Sequence, residues 1–209
     1  MSEIPIYLGD IQVLLALILA VIYFIGFSKY GKAYKIFTLY LAVIAIIQLI
    51  TFYYALYKWN NIFFFHFYFI SQFIFMSLFY YNLLKNNFIL LILGLGLVVI
   101  SAQFVLDPTI FYEYNTYGVS LTQSIIVLYA IIYYYRSLSV ANPFMLINTG
   151  VLLYFITSIL FFASGNLFLH PDIPKETKRY IGLINQFLYF VFQVLIFLEW
   201  YRNYRIKKV

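Results

Sequence analysis

Long apolar stretches recur along the chain, and short polar breaks separate them. A helix that crosses about 30 Å of hydrocarbon needs roughly 20 mostly apolar residues, because all its backbone polar groups must be bonded within the helix. Seven stretches meet this requirement: residues 7–28, 36–57, 62–84, 88–106, 118–135, 144–169 and 180–201. The pattern therefore predicts an all-α membrane protein, with residues 1–209 forming a single domain, a seven-transmembrane-helix bundle.

The breaks between the predicted spans contain charged residues or prolines. Residues 29–35 and 58–61 carry lysines, which cost about 2.5–3.5 kcal/mol each at the centre of a bilayer. The pairs Asp107-Pro108 and Asn142-Pro143 end helices, because proline lacks a backbone donor and disfavours helical geometry in the residue before it. These segments are expected at the membrane surfaces.

The composition agrees with a membrane protein and excludes several kinds of chemistry. Hydrophobic residues make up 65% of the chain and charged residues 10%, against about 45–50% and 25% in soluble domains. The absence of cysteine excludes disulfides and thiolate metal sites. The two histidines, His66 and His170, lack the number and spacing of known metal centres. No cofactor and no catalytic residue are expected, because no nucleophile has a base at helical spacing.

Lysine and arginine are distributed unequally between the two sides of the predicted bundle. One side holds nine of them, and the other holds four together with six of the seven acidic residues. By the positive-inside rule the richer side is cytoplasmic. We therefore expect the N-terminus outside and the C-terminus in the cytoplasm of a multi-pass protein of the cell membrane, with a bacterial inner membrane as the expected location.

The cytoplasmic side is strongly basic, with Lys29, Lys32, Lys35, Arg202 and Arg205 among its residues. These cations fit the headgroups of anionic membrane lipids first, and a docking surface for a membrane or cytoplasmic signalling partner second. The net charge of +6 does not indicate nucleic acid, because the spans leave no solvated basic face for it.

Two parts of the chain can be aligned with each other. Residues 20–24 match 130–134 and residues 71–73 match 185–187, at offsets of 110 and 114. This predicts a 3+1+3 arrangement, in which the fourth helix joins two parallel triple-helix units. That topology is similar to the SWEET and PQ-loop transporters and to the rhodopsins. However, the chain has no Pro-Gln pair and its last span has no lysine for a retinal Schiff base, so neither mechanism is expected.

The helix count, the size and the stretch from Asn60 to Gln72 resemble uncharacterised small bacterial seven-helix integral membrane proteins. The resemblance implies the bundle fold and no particular activity.

Uncharged polar residues concentrate in the outer halves of the predicted spans, whereas charged residues avoid the span centres. Ion-coupled transport is therefore disfavoured, and an outward-facing pocket over an apolar floor is expected. The candidate ligand-binding residues are Gln12, Gln48, His66, Gln72, Gln103, Gln123, Thr157, Asn185 and Gln186.

Each of these residues also has a structural interpretation. Amides and hydroxyls hydrogen-bond between membrane helices, at about 0.6 kcal/mol each, and a histidine such as His66 is more often a buried, hydrogen-bonded group than a ligand-binding one. His66 and Gln72, six residues apart, point about 120° from each other on a helix. Gly94 and Gly96, inside the fourth span, are expected to allow close helix packing.

Three functions stay open at this point. The leading hypothesis is a non-enzymatic receptor or sensor that binds a small neutral or aromatic ligand and signals through a partner. A passive transporter of a small neutral solute is the alternative from another class. A structural subunit that contacts other membrane proteins through its aromatic surface is the third.

Overall fold

The computed structural model describes residues 4–138, 142–163 and 174–205. In these residues seven α-helices and no strand are found. The helices are α1 (Ile4–Ile25), α2 (Lys32–Leu56), α3 (Ile62–Leu84), α4 (Phe88–Leu106), α5 (Thr116–Ser137), α6 (Met145–Ala163) and α7 (Lys175–Asn203). A short 3-10 helix, Pro108–Tyr112, follows α4. The prediction of an all-helical fold is confirmed for this part of the chain.

Six of the helices, α1 to α5 and α7, contain segments that are long and apolar enough to cross a membrane. The chain is therefore a multi-pass helical membrane protein by length and composition. In α6 the corresponding apolar segment, Met145–Phe161, is shorter. The predicted span 144–169 continues into residues 164–173, which lie outside the described residues, so the seventh span stays a prediction.

The helix ends agree with the predicted spans where the breaks are sharp. The bounds of α3 and α4 equal the predicted spans 62–84 and 88–106. Lys85, in the left-handed conformation with φ 50°, ends α3. In contrast, α2 begins at Lys32 and α7 at Lys175, before the predicted 36 and 180. Hydropathy locates the membrane, but a helix satisfies its own backbone and can continue into water with polar residues.

The helices form a ring with one helix outside it. Around the ring each helix packs on the next, in the order α1, α2, α3, α5, α6 and α7, and α7 packs on α1. Helix α4 packs mainly on α3 and the 3-10 helix, and only slightly on α5. This order is unchanged when α1, α2 and α3 are exchanged with α5, α6 and α7. The 3+1+3 repeat itself stays a prediction.

Aromatic side chains fill the interior of the ring. The ring of Phe79 lies 5.2 Å from that of Phe37 and 5.3 Å from that of Tyr80, measured between centroids. Such pairs contribute about 0.5–1.5 kcal/mol each beyond the burial of their area. We call the following fully buried residues the aromatic core: Tyr23, Phe37, Tyr40, Phe73, Phe79, Tyr80, Phe155 and Phe192.

Three side chains join α1 to α7 by bonds to backbone carbonyls. The Nε2 of Gln12 donates to the carbonyl of Gln186 at 2.5 Å, and the Nε2 of Gln193 donates to the carbonyl of Gln12 at 2.9 Å. Further along both helices, the hydroxyl of Tyr23 donates to the carbonyl of Ile196 at 3.0 Å. We call this set of bonds the α1–α7 seam.

Glu199, the acidic residue near the end of α7, holds the beginning of α6. Its Oε1 accepts from the backbone N–H of Phe144 at 3.0 Å, and its Oε2 from that of Leu146 at 3.0 Å. The amide of Asn203 donates to Oε1 at 2.6 Å. Glu199 is only 1% exposed. Its carboxylate thus replaces the N-cap side chain that would ordinarily satisfy the first N–H groups of a helix.

Candidate functional site

The largest of the cavities described for the bundle opens at the end where α1, α3, α5 and α7 begin. We call this the N-terminal end, and the opposite end the C-terminal end. The N-terminal cavity has a volume of about 620 Å³ and lies between α1, α2, α3 and α7. Its described lining contains one charged side chain, Asp10, which is exposed. The other polar lining residues are Gln12, Gln48, Thr51, Asn61, Tyr68, Tyr114 and Gln186.

Two amides in the wall of this cavity have polar atoms without a partner. The Nε2 of Gln48 donates to the hydroxyl of Tyr189 at 2.7 Å. The Oε1 atoms of Gln48 and of Gln186 are buried, and neither has a hydrogen-bond partner among the described residues. A buried polar atom left unsatisfied costs about 1–3 kcal/mol. The cavity therefore presents amide groups that a bound molecule can satisfy.

Beneath the cavity, four tyrosines from four helices come together. The hydroxyl of Tyr68 is within hydrogen-bonding reach of those of Tyr154 and Tyr189, and the hydroxyl of Tyr40 lies nearby. Gln72 joins this group, since its Nε2 donates to the hydroxyl of Tyr40 at 3.3 Å. We call Tyr40, Tyr68, Tyr154 and Tyr189 the tyrosine cluster. Tyr68 is the member of this cluster that lines the cavity, and the group beneath the cavity is polar but uncharged.

Tyr114 reaches the cavity from the loop that precedes α5. Its ring stacks on that of Phe65, with centroids 4.1 Å apart. The residue is 38% exposed, but its hydroxyl end is enclosed. Burial, and next the nearby Tyr154, raise the pKa of the Tyr114 hydroxyl above its ordinary value. The phenol is thus neutral throughout the physiological pH range.

The structure brings Gln12, Gln48 and Gln186, three of the nine candidate residues, to the wall of one cavity. Gln72 lies further along α3 than the described lining of this cavity, and its amide donates to the hydroxyl of Tyr40. His66 lines a different cavity, between α3, α4 and the 3-10 helix. This separation agrees with the angle of about 120° expected between His66 and Gln72 on α3.

The other four candidates lie elsewhere in the part of the chain that the structure describes. The Oε1 of Gln103 accepts from the amide of Asn115 at 3.2 Å, and the oxygen of the same Asn115 caps α5. The hydroxyl of Thr157 donates to a carbonyl of its own helix at 2.5 Å. Gln123 is 1% exposed within α5 and Asn185 is half-buried on α7. None of these four is among the described lining of the N-terminal cavity.

Several lining residues carried no signal in the sequence. The chain contains 23 tyrosines and 24 phenylalanines, so nothing in the sequence distinguishes Tyr68 from the other aromatic residues of the spans. Tyr114 lies outside the predicted spans. Amides, hydroxyls and histidine within the spans therefore indicate part of the cavity wall but not these two tyrosines.

A second opening lies at the C-terminal end. This cavity has a volume of about 340 Å³, and its lining includes Lys32, Tyr34, Phe144 and Tyr204. Burial, and next the charge of Glu199, raise the pKa of Tyr204 above its ordinary value. Lys32 is therefore the charged group of this cavity within the described lining.

The two openings are separated by the aromatic core. On α2, Gln48 lines the N-terminal cavity and Tyr34 the C-terminal one, which places them about 20 Å apart at 1.5 Å of rise per residue. Between them, next to Tyr40, Tyr189 and Phe192, lies a small void of about 10 Å³. Buried aromatic side chains therefore occupy most of the distance between the two openings.

Within the described residues, no group of three or more histidine, aspartate or glutamate side chains is placed to hold a metal ion. Comparisons with models of protein families, with curated proteins and with solved structures gave no match.

Proposed function

We propose that this protein is a membrane receptor or sensor that binds a small neutral ligand in the N-terminal cavity. In this proposal all seven helices cross the cell membrane and the N-terminal end faces outward. The distribution of charge supports this orientation, because the C-terminal end carries Lys29, Lys32, Arg202 and Arg205 as exposed residues. The observation that carries the proposal is the pair of unsatisfied amide oxygens, on Gln48 and Gln186, in the wall of the cavity.

The chemistry of the wall defines the class of ligand. A primary amide both donates and accepts hydrogen bonds, so Gln48 and Gln186 suit a neutral polar group. The remaining wall is aromatic and apolar, with Phe52, Phe64 and Phe65. The volume of about 620 Å³ falls within the range of roughly 300–1,000 Å³ typical of small-molecule sites. We therefore infer a neutral ligand with an aromatic or apolar body and one or two polar groups.

The contacts of Gln48 supply a route for the signal. Its bond to the hydroxyl of Tyr189 joins α2 to α7 across the cavity, and Tyr189 belongs to the tyrosine cluster. A ligand that bonds to Gln48 competes with this contact and changes the balance between two arrangements of α2 and α7. A partner at the basic C-terminal end, which includes Lys29, Lys35 and Arg205, would detect that change.

The test compares ligand binding by two variants, each of which replaces one glutamine by leucine. Neutral aromatic amides and alcohols would be screened by saturation-transfer NMR against the protein in lipid nanodiscs. Gln48→Leu is expected to weaken the hits about tenfold, the equivalent of one hydrogen bond of about 1.4 kcal/mol. Gln123→Leu, which removes a buried amide away from the cavity, is the control. Equal affinities for Gln48→Leu, Gln123→Leu and the unchanged protein would refute the site.

A passive transporter is the second candidate, because two openings lie at opposite ends and the ring has the order of two exchangeable halves. Flux would require a path through about 20 Å of the aromatic core, which favours the receptor. Uptake of a bound compound into proteoliposomes, well above uptake into empty vesicles, would reverse this preference. Binding without uptake would support the receptor.

A further inference from the structure

The cavity that contains His66 is separate from the N-terminal cavity and has no part in the proposed function. It has a volume of about 530 Å³ and lies between α3, α4 and the 3-10 helix. It opens on the outer surface of the bundle, where Phe67 is 51% and Tyr112 is 67% exposed. Apart from His66 and Tyr112, its described lining is apolar, with Phe67, Ile70, Phe104, Pro108 and Phe111. We call it the lateral groove.

His66 is enclosed at the back of the lateral groove. It is 2% exposed, its ring stacks on that of Phe111 with centroids 5.7 Å apart, and the edge of its ring meets Phe104 at 5.2 Å. Neither ring nitrogen has a hydrogen-bond partner among the described residues. Backbone groups of Ile110, Phe111 and Glu113 lie close to the ring without completing a bond.

The backbone groups beside His66 could pair with only one of its two ring nitrogens. A neutral imidazole has one nitrogen that donates and one that accepts. The backbone groups of Ile110, Phe111 and Glu113 face the ring as carbonyl acceptors, and a carbonyl can pair only with the donating nitrogen. The accepting nitrogen has no donor within the described residues. A buried acceptor in this state costs about 1–3 kcal/mol, which a donor from outside the chain would recover.

We propose that the lateral groove binds an apolar molecule dissolved in the bilayer that carries one hydroxyl group. The hydroxyl donates its proton to the accepting nitrogen of His66. The apolar body lies along Phe67, Ile70 and Phe104. An opening on the lipid-facing surface gives such a molecule direct access from the membrane, and a wall with one polar residue at its back suits a molecule with one polar group.

The test uses the small number of histidines. Protein labelled with ¹⁵N in histidine gives imidazole signals from only His66 and His170, and His170→Gln leaves that of His66 alone. The variant would be placed in phosphatidylcholine nanodiscs and titrated with farnesol or with farnesyl methyl ether, which lacks the donor. Farnesol is expected to move the signal of the accepting nitrogen in a saturable manner, whereas the ether leaves it unchanged.

Two bulky substitutions locate the effect. Ile70→Trp fills the groove without altering His66 and is expected to abolish the farnesol shift. Leu14→Trp adds the same bulk at an exposed position of α1 and is expected to retain it. The proposal is overturned if farnesol leaves the His66 signal unchanged, as for an imidazole already bonded to water, or if the ether produces the same shift. The comparison of farnesol with its methyl ether decides between these outcomes even if Ile70→Trp does not fold.

Discussion

Replacing Glu199 by glutamine is expected to weaken the attachment of α6 to α7 while preserving the size of the side chain. The carboxylate accepts three hydrogen bonds, two of them from backbone N–H groups at the beginning of α6. A glutamine has only one oxygen, and its NH₂ group would face a donor. At least one backbone N–H of Phe144 or Leu146 would then lack an acceptor in a buried place.

The magnitude follows from the number of bonds lost. A hydrogen bond to a charged group contributes about 1.5–3 kcal/mol, and an unsatisfied buried donor costs about 1–3 kcal/mol. Because Glu199 is 1% exposed, solvent does not screen these interactions. We expect Glu199→Gln to lower the free energy of unfolding by about 2–4 kcal/mol.

Equilibrium unfolding in mixed micelles, with a rising fraction of sodium dodecyl sulfate, measures this change through the fluorescence of Trp59 and Trp200. The matched control is Glu176→Gln, which removes an exposed carboxylate from the same helix and is expected to change stability by less than about 0.5 kcal/mol. If the two variants unfold with the same free energy, the carboxylate of Glu199 does not hold α6, and the reasoning fails.

Two further pairs of variants can be measured in the same titration. Gly96→Ala would place a Cβ 2.7 Å from the ring of Phe73 and is expected to destabilise by about 1–3 kcal/mol, whereas Gly94→Ala, with open space around it, should be neutral or stabilise by up to about 1 kcal/mol. Equal effects would contradict close packing of α4 on α3. Tyr23→Phe removes a hydrogen bond of the α1–α7 seam and is expected to lower the free energy of unfolding by about 0.6–1.5 kcal/mol. Tyr53→Phe, at an exposed position, is expected to lower it less. If the two variants are equally stable, the seam contributes little to stability.

The helices were largely predictable because each break has a local chemical cause. Helix α3 ends at Lys85, whose left-handed conformation stops it, and α4 ends before Asp107-Pro108. The beginning of α7 at Lys175 was missed because residues 175–179 are polar. Hydropathy carries no information on a helix that continues beyond the membrane.

The site was predictable in depth but not in direction. Gln12 and Gln186 share the N-terminal end, as their outer positions in the spans indicated, and Gln48, close to mid-depth in its span, lines the same cavity. Gln123 lies at a comparable depth and is buried elsewhere. Because most faces of these helices are apolar, little contrast in polarity exists to orient a helix about its axis. The hydrogen-bond partners of Glu199 could not be predicted from the sequence either, since they lie more than fifty residues earlier in the chain.

The α1–α7 seam makes the two sides of the N-terminal cavity mechanically unequal. On one side α1 and α7 are joined by bonds to backbone carbonyls at three points, so these two helices move together. On the other side, the described hydrogen bond from α2 to α7 is the one from Gln48 to the hydroxyl of Tyr189, which involves side chains alone. Any change in the volume of the cavity is therefore expected to come from α2 and α3 turning about the joined pair.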